Sequence, residues 1–450
     1  MLILIDTLRA DRVGAVRDGR SLTPALDQLA AEGARFDRVI AAAPWTLPSI
    51  ASLLTGVYPD VHGVTAEADP RGGGALGLRP LGSSFNTLQE ALAAGGYATA
   101  AFSANPFVVP EHGFGQGFES FHAKPINDGG TAAALNAAAC EWLDRRDPRR
   151  PFFLYVHYME VHAPYTRERE VVDPLVQRVA ESLERTWLTD EERNQKDGLF
   201  TRSMAGFRRD PVHRELAHYR EYWWARYDAG VVLADRAVGE LREALSKRGL
   251  WQDTCVLVTA DHGESLGEHG VWGHGRSLYQ HDLLVPVLLR GPGVLAGTRS
   301  EEYASLVDVF PTLLRLAGLE PQAGIQGRNL NSTPSVNGTR RPLLAQAVRG
   351  RRGHHACVAD PWKILAAPGT VGIQLFDLTA DPGERTDLAR EHPEQLEQMR
   401  QTLSDLLAQC GMLRTFAPEQ TLQLDDEQLR RLRALGYVGG DEEAPDDEGG

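Results

Sequence analysis

Two short apolar runs, Leu2 to Ile5 and Cys255 to Ala260, each end in a carboxylate, Asp6 and Asp261. Runs this short and this uninterrupted suit strands covered on both faces, not the alternating pattern of a half-exposed sheet. Between them the clearest helical spacing is Tyr227, Val231, Ala234, Val238, Leu241 and Leu245, which share one helix face before Lys247-Arg248-Gly249 stops the turn. Buried strands alternating with amphipathic helices predict an α/β fold. Ligands of open α/β sheets gather at the carboxyl ends of the strands, so two strands that both finish in Asp place two carboxylates on one rim. That rim is the candidate site.

The 450 residues, 42% of them hydrophobic, can bury a large core and suggest one big domain with a smaller partner. The expected division is a catalytic domain over 1–340, a small α+β subdomain over 341–420, a C-terminal helix within 421–440, and a solvated acidic tail over 441–450. Within the first, residues 167–218 are charged, aromatic and poorly periodic, which predicts an insertion lying over the sheet as a lid or specificity loop. Short strands are expected at Leu343–Val348, His355–Ala359, Lys363–Ala367 and Ile373–Leu378, followed by helices at Pro393–Leu407 and Asp425–Leu435, the last capped by Asp425.

The formal charge of −14 comes with no basic stripe along any predicted element, so the electrostatic basis of nucleic-acid binding is missing. Cys140, Cys255, Cys357 and Cys410 are widely spaced and form no CxxC pair, which indicates neither a zinc knuckle nor a disulfide framework. No apolar run is long enough for a transmembrane segment, and no leader pattern precedes the first strand. Cytoplasmic localisation is the default expectation, with periplasmic or secreted the alternative if an upstream signal is missing. Oligomeric state is left open.

Asp261-His262-Gly263-Glu264 projects a carboxylate and an imidazole from one strand end, a donor set suited to a divalent cation. Asp as a helix cap and His as polar filler is the simpler alternative for this segment alone, and Asp6 at the other strand end weighs against it. The second constellation is Pro44-Trp45-Thr46-Leu47-Pro48-Ser49-Ile50. Pro48 and Ser49 suit the first turn of a short helix, placing the Thr46 hydroxyl near backbone N–H groups that stabilise anions. Thr46 acting only as the helix cap is the competing reading.

These segments resemble the sulfatase family of the alkaline phosphatase superfamily. Its signature is a Cys or Ser, then x-Pro-Ser-Arg, then a short helix closing in Leu-Thr-Gly with a Tyr-Pro and His-Gly tail. Here the chain has Thr46, Pro48-Ser49-Ile50, Leu54-Thr55-Gly56, Tyr58-Pro59 and His62-Gly63. Asp6, His162-Ala-Pro-Tyr165, Asp261 to Glu264, Gly267-x-His269-Gly270, Trp272-Gly273, Asp308-x-x-Pro311-Thr312 and Asp381-Pro382-x-Glu384 resemble later signatures in the same order. The resemblance implies an alkaline-phosphatase-like large mixed sheet flanked by helices, and a metal-dependent hydrolase acting on a small anionic ester.

The departures change the expected chemistry. Formylglycine sulfatases oxidise their Cys or Ser to an aldehyde; Thr46 carries a methyl on Cβ and cannot yield one, and Ile50 replaces the accompanying Arg. Superfamily relatives such as lipoteichoic acid synthases and nucleotide phosphodiesterases attack phosphorus with an unmodified Thr. Thr7 stands where many sulfatases have a second metal aspartate, so the implied shell is Asp6, Asp261, His262 and Thr46 around one divalent ion. Zn²⁺ or Mn²⁺ is favoured over Ca²⁺, which prefers six to eight oxygens. His162 and His274 are expected to bind substrate and supply positive charge or protons, His274 standing where many sulfatases place a sulfate-binding Lys. Asn105 lies near the family's Lys-Trp-His segment and is expected among the substrate-binding groups. His62 and His269 read as structural.

The resulting expectation is a phosphodiesterase or phosphonate ester hydrolase with Thr46 as nucleophile. A sulfuric ester hydrolase and a phosphotransferase share the same residues, and a non-catalytic sulfatase-like protein is the reading from a different class.

Overall fold

The computed structural model describes residues 1–17, 19–68, 76–165, 220–275, 277–331, 341–347, 354–366, 372–414 and 422–434. The expected insertion at 167–218 and acidic tail at 441–450 lie outside the described residues. The central element is a nine-stranded sheet. Its strands are β1 (Leu2–Ile5), β2 (Ala34–Ile40), β3 (Ala98–Ser103), β4 (Ser120–Ala123), β5 (Phe152–Tyr158), β6 (Val256–Thr259), β7 (Leu284–Arg290), β8 (Thr298–Ser300) and β9 (Ala304–Ser305). The order is β8-β2-β7-β6-β1-β5-β3-β4, with β9 also paired to β2.

The five neighbours β6, β1, β5, β3 and β4 run parallel, and β7 is antiparallel to both β6 and β2. The sheet is therefore mixed, as the resemblance implies. All four residues of β1 are at most 1% exposed, which is the burial on both faces that an uninterrupted Leu-Ile-Leu-Ile run predicts. Strand β1 sits between β6 and β5, with Leu4 opposite Thr259 on one side and His157 on the other. The chain ends of four adjacent strands are thus brought to one rim.

Helices flank the sheet. Helices α1 (Pro24–Glu32), α3 (Ala132–Arg145) and α4 (Arg220–Lys247) pack together, while α2 (Thr46–Thr55) packs against Val309–Leu316. The six apolar positions predicted to share a face of α4, from Tyr227 to Leu245, are all at most 3% exposed, and the helix stops at Lys247. Helix α2 is buried at every position and closes at Gly56 in the left-handed conformation, a C-terminal cap that glycine adopts without strain.

A second, four-stranded antiparallel sheet comprises β10 (Leu343–Ala347), β11 (His354–Ala359), β12 (Trp362–Ala366) and β13 (Gln374–Asp377), followed by α5 (Pro393–Leu413). Its first strand reaches the large sheet near the start of α2, since Gln346 N–H donates to the carbonyl of Ala42, four residues before Thr46. The last helix, α6 (Asp426–Ala434), begins in a reciprocal cap between Asp425 and Gln428. The four cysteines form no disulfide. No helix among the described residues is long and apolar enough to cross a membrane.

Candidate active site

Four parallel strands deliver one polar residue each to the rim. Asp6 follows β1, Asp261 follows β6, His157 lies near the end of β5, and Asn105 follows β3. All four are at most 1% exposed, so each needs partners to offset its lost hydration. Asp6 Oδ2 accepts from Asn105 Nδ2 at 2.7 Å and lies 3.0 Å from His157 Nε2. Asp261 Oδ1 accepts the Thr7 N–H at 3.3 Å. The other oxygen of each carboxylate, Asp6 Oδ1 and Asp261 Oδ2, is buried with no hydrogen-bond partner. A native interior rarely leaves two such acceptors orphaned, and a cation is the simplest group that satisfies both.

Thr7 makes this geometry possible at a cost. It adopts φ 60°, a conformation that a β-branched residue rarely takes, and such strain is worth about 1–3 kcal/mol. It is held there by its own hydroxyl on the Asp6 carbonyl at 2.7 Å and by the Tyr227 hydroxyl on its carbonyl at 2.6 Å. Thr7 thus serves through its backbone, turning an N–H onto Asp261.

His262 completes the cluster. Its Nδ1 lies 2.8 Å from the Gly263 carbonyl, which fixes the ring proton there and directs Nε2 at the carboxylates. Nε2 is 3.3 Å from Asp261 Oδ2, 3.9 Å from Asp6 Oδ1 and 3.4 Å from Thr46 Oγ1. Ligands about 2.0–2.2 Å from one ion are separated by roughly 3–3.5 Å, so the Asp261 and Thr46 separations fit a small divalent cation while Asp6 Oδ1 lies somewhat farther out. Gly263 is required because a Cβ there would sit 2.1 Å from the His281 carbonyl. Asp6, His157 and Asp261 also place one ligand atom each within 4.8 Å of one another, a buried group able to hold a metal.

The electrostatics agree. Burial pushes the Asp6 carboxyl up, but the hydrogen bond from His157 and the charges of His162, His157 and His262 leave it below the usual carboxylate range. Burial and the charge of Asp6 push Asp261 up. Burial lowers His262, yet Asp261 and Asp6 outweigh it and the net shift is upward. The two buried carboxylates are therefore driven apart, Asp6 toward the ionised form and Asp261 toward the protonated one, as coupled acids at short range are.

Thr46 is the first residue of α2, with Trp45 at the cap position making no side-chain cap bond, so capping is not what Thr46 does. Its hydroxyl lies beside Asp261 and His262. Ser49, one turn on, donates to the Asp261 carbonyl at 2.6 Å and ties the helix to the strand end. Ile50 is fully buried in the core, so no cation stands at the position of the family's Arg.

His162 and His274 flank this cluster, their rings 4.9 Å apart, with His274 4.5 Å from the ring of His262. His162 Nδ1 lies 2.7 Å from the Ala163 carbonyl and His274 Nδ1 lies 2.9 Å from Glu264 Oε1. The carbonyl puts the proton of neutral His162 on Nδ1 and makes its Nε2 an acceptor, and an ionised Glu264 does the same for His274. Burial lowers His162 to about 4. Of the two expected roles, positive charge or protons, this burial favours His162 as a neutral proton acceptor. His274 as a neutral ring accepts a proton, and only as an imidazolium does it donate one.

Two residues of the site carried weak signals in the sequence. His157 sits inside the apolar run Phe152–Tyr158, where a histidine two residues after a tyrosine is the single cue. Glu264 ends the Asp-His-Gly-Glu segment, and its role appears only in the fold: Oε1 faces His274, Oε2 accepts the Tyr165 hydroxyl at 2.8 Å, and its own carbonyl accepts Arg9 Nη1 at 2.9 Å. Burial raises its carboxyl to about 7. Asn105, expected on the substrate side, instead has its amide on Asp6 and its Oδ1 on the Phe107 N–H. His62 is structural, bonded to Ser52 and Val64, and His269 rests on the Gly383 carbonyl away from the rim.

The sequence model of the Sulfatase family matches residues 1–319. An arylsulfatase of Clostridium perfringens is 24% identical over 474 residues, spanning 90% of this chain and 93% of that protein. Arylsulfatase K of Mus musculus is 29% identical over 295 residues, spanning 60% of this chain and 52% of its own length, so this chain covers about half of that relative. Among solved structures, the phosphonate monoester hydrolase of Agrobacterium radiobacter superposes with a TM-score of 0.67 at 21% identity, covering 91% of this chain and 95% of that one. At that identity the likeness speaks for the fold, a large mixed sheet flanked by helices.

Proposed function

The chain belongs to the sulfatase family, hydrolases of sulfuric or phosphoric esters, and from that premise we propose that it hydrolyses phosphate diesters or phosphonate monoesters with unmodified Thr46 as the nucleophile. The observation that carries the proposal is the placement of a threonine, which no oxidation converts to an aldehyde, beside a cluster of two half-satisfied carboxylates and one oriented imidazole.

Asp6, Asp261, His262 and Thr46 would hold one divalent ion, for which the two orphaned carboxylate oxygens and the ring nitrogen are a fitting donor set. Zn²⁺ or Mn²⁺ suits the imidazole better than Ca²⁺ does. When bound, the ion would lower the pKa of a nearby hydroxyl and offset charge on the ester oxygens.

The chain's own residues divide the remaining work. Thr46 stands at a buried helix N-terminus, whose backbone N–H groups favour developing negative charge. Its Oγ1 gives its proton to a neutral histidine of the site and forms a bond to phosphorus as the bond to the leaving oxygen breaks. Water, its proton taken in turn by the site's histidines, then attacks the phosphothreonine, and the Thr46 oxygen departs and is reprotonated. His274 and His162 present Nε2 as acceptors on the substrate side, suited to orienting that water and taking its proton. Asn105 positions Asp6 and leaves substrate contact to the two histidines.

The choice of a singly charged ester rests on the loss of cations. The family's lysine position holds His274, the segment of its second lysine holds Asn105 with its amide on Asp6, and its arginine position holds buried Ile50. Among the described residues, these three positions supply no fixed positive charge for a dianion. A sulfuric ester hydrolase is the second reading, favoured by likeness to the Clostridium arylsulfatase over nearly its full length. Initial rates on p-nitrophenyl sulfate, p-nitrophenyl phosphate, bis-p-nitrophenyl phosphate and p-nitrophenyl phenylphosphonate, with Zn²⁺, Mn²⁺ or Ca²⁺ supplied, separate the two. Diester or phosphonate turnover that disappears in Thr46→Ala supports the proposal. Dominant sulfate turnover replaces it with the second reading.

A further inference from the structure

The two oxygens of Asp6 have unequal surroundings. Oδ2 takes both Asn105 Nδ2 and His157 Nε2, whereas Oδ1 has no hydrogen-bond partner and lies toward His262. His157 is placed by the sheet itself, opposite Leu4 of β1 on one side and Ser103 of β3 on the other. Its Nδ1 lies 3.0 Å from the hydroxyl of Tyr155, two residues earlier on the same face of β5. Tyr155 and His157 are both fully buried. Filling space in a core strand needs no imidazole, and burying one is unfavourable unless both nitrogens are engaged.

We infer that Tyr155, His157 and Asn105 form a positioning shell that holds Asp6 to a single open oxygen, Oδ1, and so selects a small transition-type cation over calcium. The inference rests on the reading of Asp6, Asp261 and His262 as metal ligands. Three residues with ligand atoms within 4.8 Å, Asp6, His157 and Asp261, also permit His157 as a direct ligand. The hydrogen bonds favour positioning. When the Tyr155 O–H donates to Nδ1, Nε2 carries the ring proton and donates to Asp6, so that nitrogen has no lone pair for a metal. The opposite tautomer sets a nitrogen lone pair against a carboxylate oxygen at 3.0 Å.

Selectivity follows from denticity. Calcium takes six to eight oxygens and often uses both oxygens of a carboxylate. Asp6 becomes bidentate only by giving up at least one of the two buried hydrogen bonds that fill both acceptor sites of Oδ2. A cation content with four to six ligands, some of them nitrogen, needs no such change.

Dissociation constants for Mn²⁺, Zn²⁺ and Ca²⁺, obtained by chelator competition on the full chain without substrate, test this. The wild type is expected to bind Mn²⁺ and Zn²⁺ more tightly than Ca²⁺. His157→Phe weakens the two transition metals by about 10- to 100-fold, the usual loss for an outer-shell partner, and narrows the margin over Ca²⁺. His157→Gln, whose amide N–H reaches the same place, restores most of it. Tyr155→Phe weakens binding by a few-fold and serves alone if His157→Phe does not fold. Pulsed EPR of the Mn²⁺-loaded wild type shows one histidine nitrogen, unchanged in His157→Phe. Two nitrogens falling to one, or unaltered affinities in a folded His157→Phe, overturn the inference. Because no substrate is present, these outcomes are independent of whether Thr46 is the nucleophile.

Discussion

The metal side of the site and its substrate side have diverged from the family to different degrees. On the proposed metal side the strand ends bring Asp6, Asp261 and His262 together, and Thr7 takes a strained backbone that aims an N–H at Asp261. On the substrate side the oxidisable residue is Thr46, the arginine is Ile50 and the lysine position is His274. Under the proposed function, the difference teaches that the strand-end part of the cation site and the nucleophile can vary separately, with Thr46 the one residue they share. The first is fixed by the ends of a parallel sheet, which few substitutions leave intact. The second sits on one helix terminus and two loops, where a single residue changes the reaction without disturbing the core.

The largest expected effect separates the two sides. Thr46→Ala lowers kcat on the preferred ester by at least ~10³-fold, as loss of a nucleophile does, while the Mn²⁺ dissociation constant changes much less. Parallel loss of metal and activity would merge the two sides into one. Next, chelation acts on the metal side alone. Removing a cation present at about 100 times its dissociation constant takes away ~2.7 kcal/mol of stability, seen as a lower Tm in calorimetry. An unchanged Tm would mean that no resident cation bridges the strand ends. His274→Lys probes the substrate side, restoring fixed positive charge beside Glu264. It is expected to raise kcat/KM for sulfate and dianionic phosphate relative to the diester by roughly 10-fold, and no change in that ratio would show that charge at this position does not set selectivity. Smallest, Ser49→Ala cuts the one bond by which α2 grips the Asp261 carbonyl. A buried bond of this kind contributes about 1 kcal/mol, read as a shift in the denaturation midpoint at constant m-value. A loss of metal affinity larger than that would show the halves to be mechanically coupled.

The two strand ends were largely legible in the sequence, because apolar runs ending in Asp6 and Asp261 follow from the two-sided burial of parallel strands. The amphipathic stripe from Tyr227 to Leu245 and the short helix after Thr46 were legible for the same local reasons. What the sequence withheld depends on which strands become neighbours. His157 matters because β5 lies between β1 and β3, a pairing across about 150 residues that no local pattern encodes. Asn105 moved from the expected substrate group to Asp6 for the same reason. The tautomers of His162 and His274 depend on the Ala163 carbonyl and on Glu264, contacts that require three-dimensional neighbours.

The central claim is that Thr46 attacks the ester. Its most direct measurement is acid quenching during steady-state turnover of p-nitrophenyl phenylphosphonate or bis-p-nitrophenyl phosphate, followed by peptide mass spectrometry. The account predicts a phosphonyl or phosphoryl adduct on the Thr46 side chain that forms with the release of p-nitrophenol and is absent from Thr46→Ala. An unmodified Thr46 peptide at full turnover, together with substantial activity in Thr46→Ala, would contradict it.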